Sequence, residues 1–137
     1  METGRYMKEK DMGTAITDAS ILVRAYYGSW QNGIDTFDKE RLAEILAEDL
    51  DFEGSIAGKR RGAAGFMVGL QRFVGCLKSP IHVQQQVEAG DQAAVLYEAE
   101  MPGGSMRFAE FFRVKHGRIA SIGLLYDPAQ YTALGGR

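Results

Sequence analysis

The residue whose surroundings most clearly suggest chemistry is a glutamate, Glu110, in the middle of an apolar strand pattern. Residues 105–115 alternate in character, and successive side chains of a β-strand point to opposite faces of the sheet. One face therefore carries Glu110 among Met106, Phe108, Phe112 and Val114. Because an ionised carboxylate is very unfavourable in apolar surroundings, we expect Glu110 to be neutral, paired, or lining a cavity that admits water.

Two interpretations of Glu110 are open from the sequence. In the first it is a functional acid or acid/base group, because carboxylates with shifted pKa values are concentrated at functional sites. In the second it is the structural partner of an arginine, for which Arg24 and Arg60 are candidates. A raised pKa of Glu110 without an arginine partner favours the enzyme, whereas an ordinary or lowered pKa favours structural pairing.

Residue types that commonly bind metals or phosphates are sparse and poorly spaced. The two histidines, His82 and His116, lie far from the single cysteine, Cys76, so the sequence predicts no metal site. Residues 54–60 resemble a phosphate-binding loop only superficially, because three residues separate the two glycines and an arginine replaces the expected Ser or Thr. We therefore expect no cofactor.

The bulk composition predicts a single globular domain. The chain has 137 residues, 45% of them hydrophobic and 25% charged, which is ordinary for a soluble protein. A net charge of -2 gives no electrostatic reason to expect nucleic acid as a partner. One cysteine forms no internal disulfide, and the first 20 residues contain no apolar run typical of a signal or membrane segment. We expect a cytoplasmic protein without a membrane partner.

The pattern along the chain predicts helices followed mainly by strands. Residues 1–14 lack periodicity and are expected to form a flexible tail, with one domain over residues 15–137. We predict a first helix capped by Thr17 and a second capped by Asp38. The remaining predicted elements are a strand at 50–54, a loop at 56–62, a helix at 63–77, and strands at 81–88, 93–101, 105–115 and 119–126.

This order predicts an α+β fold, with a cone-like, curled antiparallel sheet and three N-terminal helices packed on its concave face. Such layers can enclose a pocket around Glu110. Its expected walls are aromatic, although for each aromatic residue taken singly plain core packing is a simpler explanation than ligand contact. The candidate pocket residues are Tyr26, Trp30, Phe52, Phe66, Tyr97, Phe108, Phe112 and Tyr126.

The order of elements resembles the nuclear transport factor 2-like superfamily, in particular its SnoaL-like and ketosteroid-isomerase-like branches. The matching segments are RLAEILAEDLDFEG and FAEFFRVKHGRIASIGLLYDP. The resemblance extends over residues 19–128 and implies the fold, whereas members of the superfamily include isomerases, cyclases, dehydratases, epoxide hydrolases and non-catalytic binding modules. Fold alone does not select among these functions.

The isomerases provide a partial match. Glu110 stands where their carboxylic acid donates a hydrogen bond to a developing oxyanion, and that acid is held neutral by its apolar site. Their general base follows the glutamate of the first strand, where this chain has Gly54 after Glu53. Their helix-one tyrosine corresponds to Tyr26 or Tyr27, or to an aromatic replacement at Trp30.

The other branches narrow the expected function. The epoxide hydrolases need an arginine where this chain has Phe108, whereas the SnoaL-like cyclases need only one placed acid/base group in an apolar pocket. We therefore expect a cofactor-free enzyme of isomerase, cyclase or dehydratase type that acts on a small apolar carbonyl compound. The alternative is a non-catalytic binding or dimerisation module, since Phe111 on the otherwise polar strand face suggests a homodimer through the sheet.

Overall fold

The computed structural model describes the backbone of residues 14–137 and the side chains of residues 19–137. The described chain contains four α-helices, one 3-10 turn at Ile34–Thr36 and six strands. In chain order the elements are α1 (Thr14–Gly28), α2 (Lys39–Ile45), β1 (Leu46–Gly54), β2 (Gly58–Arg61), α3 (Ala63–Val74), β3 (His82–Ala89), β4 (Gln92–Met101), β5 (Gly104–Lys115), β6 (Arg118–Leu125) and α4 (Pro128–Ala133). The predicted flexible tail falls outside these residues except for Thr14, which begins α1.

The six strands form one curled, open sheet in the order β2-β1-β6-β5-β4-β3. The predicted α+β fold with helices packed on a curled sheet is therefore confirmed. One strand pair departs from the expected antiparallel arrangement, because β1 runs parallel to β6. Register shifts occur in three pairs, β1–β6, β3–β4 and β5–β6, and such bulges bend and twist the strands that contain them.

The alternation in β5 predicted its buried face. Met106, Phe108, Glu110, Phe112 and Val114 are all buried, and the residues between them are exposed or half-buried. The buried face turns toward the helices because only there can the apolar side chains leave water.

The helices cover this face with their own apolar stripes. The buried side chains of α1 and the turn after it are Ala19, Val23, Tyr26, Tyr27 and Trp30. The predicted cap of α2 is confirmed, because the Asp38 carboxylate accepts a hydrogen bond of 3.0 Å from the backbone N–H of Arg41. The predicted cap of α1 is wrong: the helix begins three residues before Thr17, at Thr14, since backbone hydrogen bonds continue beyond the apolar stripe.

Several further boundaries differ from the prediction, and β1 begins at Leu46, four residues before the predicted start. Residues 56–62 were predicted as a loop but include β2, whose residues are all exposed and which pairs with β1. Charged residues are typical of an edge strand, and here they leave no alternation of apolar and polar residues that would indicate a strand. Helix α3 ends at Val74, three residues before the predicted end, with Gly75 as its C-cap. The last strand ends at Leu125, one residue before the predicted end, and a helix that was not predicted follows it: Asp127 caps α4 and Pro128 occupies its first turn.

Within the described residues, no helix has both the length and the apolar character needed to cross a membrane.

Candidate active site

Glu110 is buried and hydrogen-bonded by two consecutive tyrosines of α1. The Tyr27 hydroxyl donates to Oε1 of Glu110 at 2.6 Å, and the Tyr26 hydroxyl donates to Oε2 at 3.2 Å. Glu110 lies in the middle of β5, opposite Val95 of β4 and Leu124 of β6. Only 2% of its surface is exposed, so both carboxylate oxygens are satisfied by neutral donors rather than by bulk water.

The proposed pairing of Glu110 with an arginine is wrong for both candidates. Arg24 is exposed and donates to the Ser20 hydroxyl at 3.2 Å. Arg60 is also exposed and donates to the backbone carbonyl of Lys59 at 3.0 Å. Neither arginine forms an ion pair with Glu110, whose two carboxylate oxygens accept from Tyr26 and Tyr27.

Burial controls the ionisation of this cluster. It raises the pKa of Glu110 from 4.5 to about 7, although the hydrogen bonds from Tyr27 and Tyr26 lower it in part. Burial also raises the pKa of both tyrosines well above 10.0, and the nearby charge of Glu110 adds to this effect. At neutral pH, Glu110 therefore populates both protonation states while the two tyrosines stay protonated and able to donate.

A cavity of about 680 Å³ lies beside Glu110, between α3 and the inner face of the sheet. Glu110 and Tyr26 both line it, and their burial places them at its floor. Its volume falls within the range of small-molecule sites, roughly 300 to 1,000 Å³. The structure thus brings a titratable carboxyl group to the inner end of a space large enough for an organic compound.

Six of the eight aromatic residues that we predicted for a pocket line this cavity: Tyr26, Phe52, Phe66, Tyr97, Phe108 and Tyr126. The other two, Trp30 and Phe112, lie outside the lining. Their rings pack against Tyr26, with centroids 5.8 Å and 5.3 Å away, and against Tyr27, at 5.4 Å and 5.9 Å. Both rings therefore pack against the two tyrosines from outside the cavity, Phe112 from β5 and Trp30 from the turn after α1.

Sequence reasoning missed two residues of the site. Tyr27 was considered as a counterpart of the isomerase tyrosine but not as a pocket residue, and it makes the shortest hydrogen bond to Glu110. The neighbouring pair Tyr26 and Tyr27 on one apolar stripe was the available signal. Tyr131 lines the cavity from α4, and it was missed because α4 was not predicted.

The space beside Gly54, where the isomerases carry their base, is already filled. A Cβ atom built on Gly54 would lie only 2.9 Å from Cζ of Phe52. Phe52 in turn packs against Phe66 of α3, with ring centroids 5.0 Å apart. A carboxylate at position 54 would therefore require the Phe52 ring to move, and Glu110 is the carboxylate that reaches the cavity.

The histidines, cysteine and acidic residues form no cluster that suggests a metal centre in the described part of the chain, where no three of them lie close enough to hold an ion.

Comparison with known proteins identifies the family. The profile of the SnoaL-like domain matches residues 23–122. A nuclear transport factor 2-like protein of unknown function from Burkholderia pseudomallei K96243 has a similar structure, with a TM-score of 0.69 and 16% identity over 85% of this chain and 96% of that one.

Two other similar structures are named after small-molecule chemistry. One, described as a candidate SnoaL-like polyketide cyclase from Jannaschia sp. CCS1, has a TM-score of 0.76 and 11% identity over 92% of this chain and 96% of that one. The other is TerC co-crystallised with polyporic acid, with a TM-score of 0.67 and 15% identity over 85% of this chain and 97% of that one. The comparison with curated proteins returned no match. The similar structures share the fold of this chain, and the profile match shows that the chain belongs to the SnoaL-like family.

Proposed function

We propose that this protein is a cofactor-free acid/base enzyme that acts on a small apolar carbonyl compound, with Glu110 as the group that transfers the proton. One observation carries the proposal: Glu110 is buried at the floor of a cavity, held by tyrosine hydroxyls, and its pKa is raised to about 7. A group whose pKa lies near the working pH can both accept and donate a proton efficiently.

In the proposed reaction, the Glu110 carboxylate removes a proton from the carbon next to the carbonyl group. The electron pair of the broken C–H bond moves into the carbonyl group, and negative charge develops on its oxygen as an enolate. Tyr97 can donate a hydrogen bond to this oxygen, because it lines the cavity and because burial and the charge of Glu110 raise its pKa, so that its hydroxyl keeps its proton.

The proton on Glu110 then completes the reaction. In an isomerisation, Glu110 returns it to a different carbon of the conjugated compound. In a cyclisation, the enolate carbon first attacks a second carbonyl group, and the resulting alkoxide takes the proton. Tyr26 assists either outcome: once Glu110 is protonated, Oε2 accepts less strongly, and the Tyr26 hydroxyl, which also lines the cavity, can turn toward the substrate.

The relatives support a small organic ligand. One is described as a polyketide cyclase and another was crystallised with polyporic acid. The aromatic lining of the cavity agrees with an apolar compound, because water is displaced from such walls at little cost.

Deuterium exchange tests the proposal without knowledge of the natural substrate. 1-Indanone and 1-tetralone carry exchangeable protons next to a ketone, and ¹H NMR in D₂O follows their loss. We expect the protein to accelerate exchange over buffer, with a rate that rises through pH 7 as Glu110 ionises. Glu110→Gln should slow the catalysed exchange by about 100-fold.

The control for charge removal is Glu53→Gln, because Glu53 is an exposed carboxylate on β1. This variant should exchange at the wild-type rate. If Glu110→Gln also keeps the wild-type rate, or if the wild-type protein leaves the ketones at the buffer rate, Glu110 is not a base toward such compounds.

A second candidate function is binding without catalysis, and the filled space at Gly54 favours it. In that case Glu110 orients a ligand, and the ketones bind to the wild-type protein and to Glu110→Gln while their deuterium exchange stays at the buffer rate. Isothermal titration calorimetry on the same ketones separates the two functions, because binding without exchange supports the module and not the enzyme.

We also propose that the protein forms a homodimer through the outer face of the sheet. Phe111 and Leu125 are 51% and 63% exposed. Leu125 lies opposite Ala109 in the β5–β6 pair, and directly paired residues project to the same face of a sheet. Ala109 and Phe111 are two residues apart on β5, so Phe111 projects to that face as well. Sedimentation analysis at micromolar concentration should give the mass of two chains, and Phe111→Lys should give the mass of one.

A further inference from the structure

We propose that the compound bound in the cavity is a flat, conjugated ring system with an anionic group, such as a carboxylate, at the end that faces the cavity mouth. The inference rests on the proposed function in one respect: the carbonyl end of the compound is taken to meet Glu110. The opposite end is assigned from the charges at the mouth and from the shape of the walls.

The charged residues that line the cavity are strongly unbalanced. Four are arginines, namely Arg60, Arg61, Arg72 and Arg137, and the only carboxylate side chain among them is Glu110. Glu110 is almost fully buried, whereas all four arginines are exposed. The positive charge therefore lies at the mouth and the titratable carboxyl lies at the floor.

The pairing of β1 and β2 directs Arg60 toward the cavity. Arg60 lies directly opposite Phe52 in the antiparallel register, and such partners project to the same face of a sheet. Phe52 is a cavity residue. The next residue, Arg61, also lines the cavity, but it pairs with Asp51 at 3.1 Å, so its charge is already compensated.

Arg72 reaches the mouth from the helical side. It lies one turn after Val68 on α3, and both residues line the cavity. Its positive charge also acts on Tyr131 of α4, which lines the cavity: burial raises the pKa of Tyr131 to about 12, and Arg72 partly opposes that rise. Arg60 and Arg72 thus approach the opening from two different elements, as required to hold one anionic group between them.

The walls of the cavity favour a flat compound. On the sheet side, Tyr97 and Phe108 stack with ring centroids 5.1 Å apart and an interplanar angle of 14°. On the helical side, Gly65 and Gly69 line the cavity, and a Cβ atom built on either would meet nothing within 4 Å. A ring can therefore lie close to the backbone of α3 while facing the aromatic side chains of the sheet.

Matched ligands test this inference. 6-Acetyl-2-naphthoate carries a ketone and a carboxylate at opposite ends of a flat ring system, and its methyl ester lacks only the charge. Titration calorimetry with the full chain should show that the acid binds roughly fivefold to tenfold more tightly than the ester, the preference expected for two exposed charge pairs. The double variant Arg60→Gln/Arg72→Gln should bind both compounds equally.

Arg107 and Arg113 supply the matched control, because both are exposed on β5 and neither lines the cavity. The variant Arg107→Gln/Arg113→Gln removes the same charge and should keep the preference for the acid. Gly69→Leu should weaken binding of both compounds by placing a side chain in the cavity, with circular dichroism used to verify its fold.

Equal binding of the acid and ester by the wild-type protein, or binding of neither, would overturn the inference. So would the same loss of preference in the Arg107→Gln/Arg113→Gln control, or unchanged binding by folded Gly69→Leu. Glu110→Gln separates this result from the proposed function: it should keep the preference for the acid whether or not it slows deuterium exchange.

Discussion

The raised pKa of Glu110 predicts that this residue destabilises the folded protein at neutral and alkaline pH. The folded state holds the Glu110 proton more tightly than the unfolded state, because burial penalises the carboxylate. The stabilising contribution of that proton is complete below about pH 4.5 and is lost as the pH rises toward 7. Glu110→Gln removes this dependence, because an amide stays neutral at every pH and keeps the size of the side chain.

The magnitude follows from the two pKa values. A shift from 4.5 to about 7 corresponds to about 3 kcal/mol of unfolding free energy. Since the loss spreads over the interval between the two values, most of it, about 2–3 kcal/mol, falls between pH 5 and pH 8. This estimate needs no reduction for solvent screening, because Glu110 is only 2% exposed.

Urea denaturation at pH 5, 6, 7 and 8 measures this effect. The unfolding free energy of the wild-type protein should fall relative to that of Glu110→Gln by about 2–3 kcal/mol over the series. Other titrating groups cancel in the difference. Glu53→Gln removes an exposed carboxylate and should track the wild type within about 0.5 kcal/mol. A difference between wild type and Glu110→Gln that is the same at all four pH values would refute the raised pKa.

Two further perturbations test the supports of the site. Tyr27→Phe removes the stronger of the two hydrogen bonds that lower the pKa of Glu110, so ¹³C NMR titration of the Glu110 carboxyl should give a pKa above 7. The control variant Tyr126→Phe should leave the pKa of Glu110 unchanged. An unchanged pKa of Glu110 in Tyr27→Phe would contradict the role assigned to Tyr27. Asp127→Ala removes the cap that accepts from the backbone N–H groups of Ala129 and Gln130. It should cost about 1 kcal/mol in urea denaturation, whereas equal stability of Asp127→Ala and wild type would mean that the cap is dispensable.

The placement of Glu110 on a buried strand face was predictable, because a period of two is visible directly in residues 105–115. Its partners were not. Tyr26 and Tyr27 lie 84 and 83 positions away in the sequence, and only the packing of α1 across the sheet decides which hydroxyls reach the carboxylate. A pattern identifies the buried face of each element, but it does not specify which side chains meet when two faces pack.

The elements that escaped prediction are short and lack a buried stripe. Strand β2 has four residues, all exposed, and its place in the sheet depends on pairing with β1 rather than on burial. Helix α4 has six residues and buries only Tyr131. For α4 a local signal was present, since Asp127 followed by Pro128 is a favourable helix start. Both elements contribute to the cavity, so its mouth was less predictable than its floor.

Two departures from local rules meet at the same cavity. Gly65 and Gly69 weaken α3, because each glycine in a helix interior costs roughly 0.5–1 kcal/mol relative to alanine, and neither is required by crowding from the rest of the protein. Glu110 likewise lowers the stability of the buried face of β5, because burial penalises its charged form. Sites where a sequence violates the preferences of its own elements are commonly functional. In this protein the two glycines leave space in the cavity that a side chain would fill, and Glu110 supplies a titratable group at the inner end of the cavity. A single bound compound would therefore explain both the weakened helix and the buried carboxyl group.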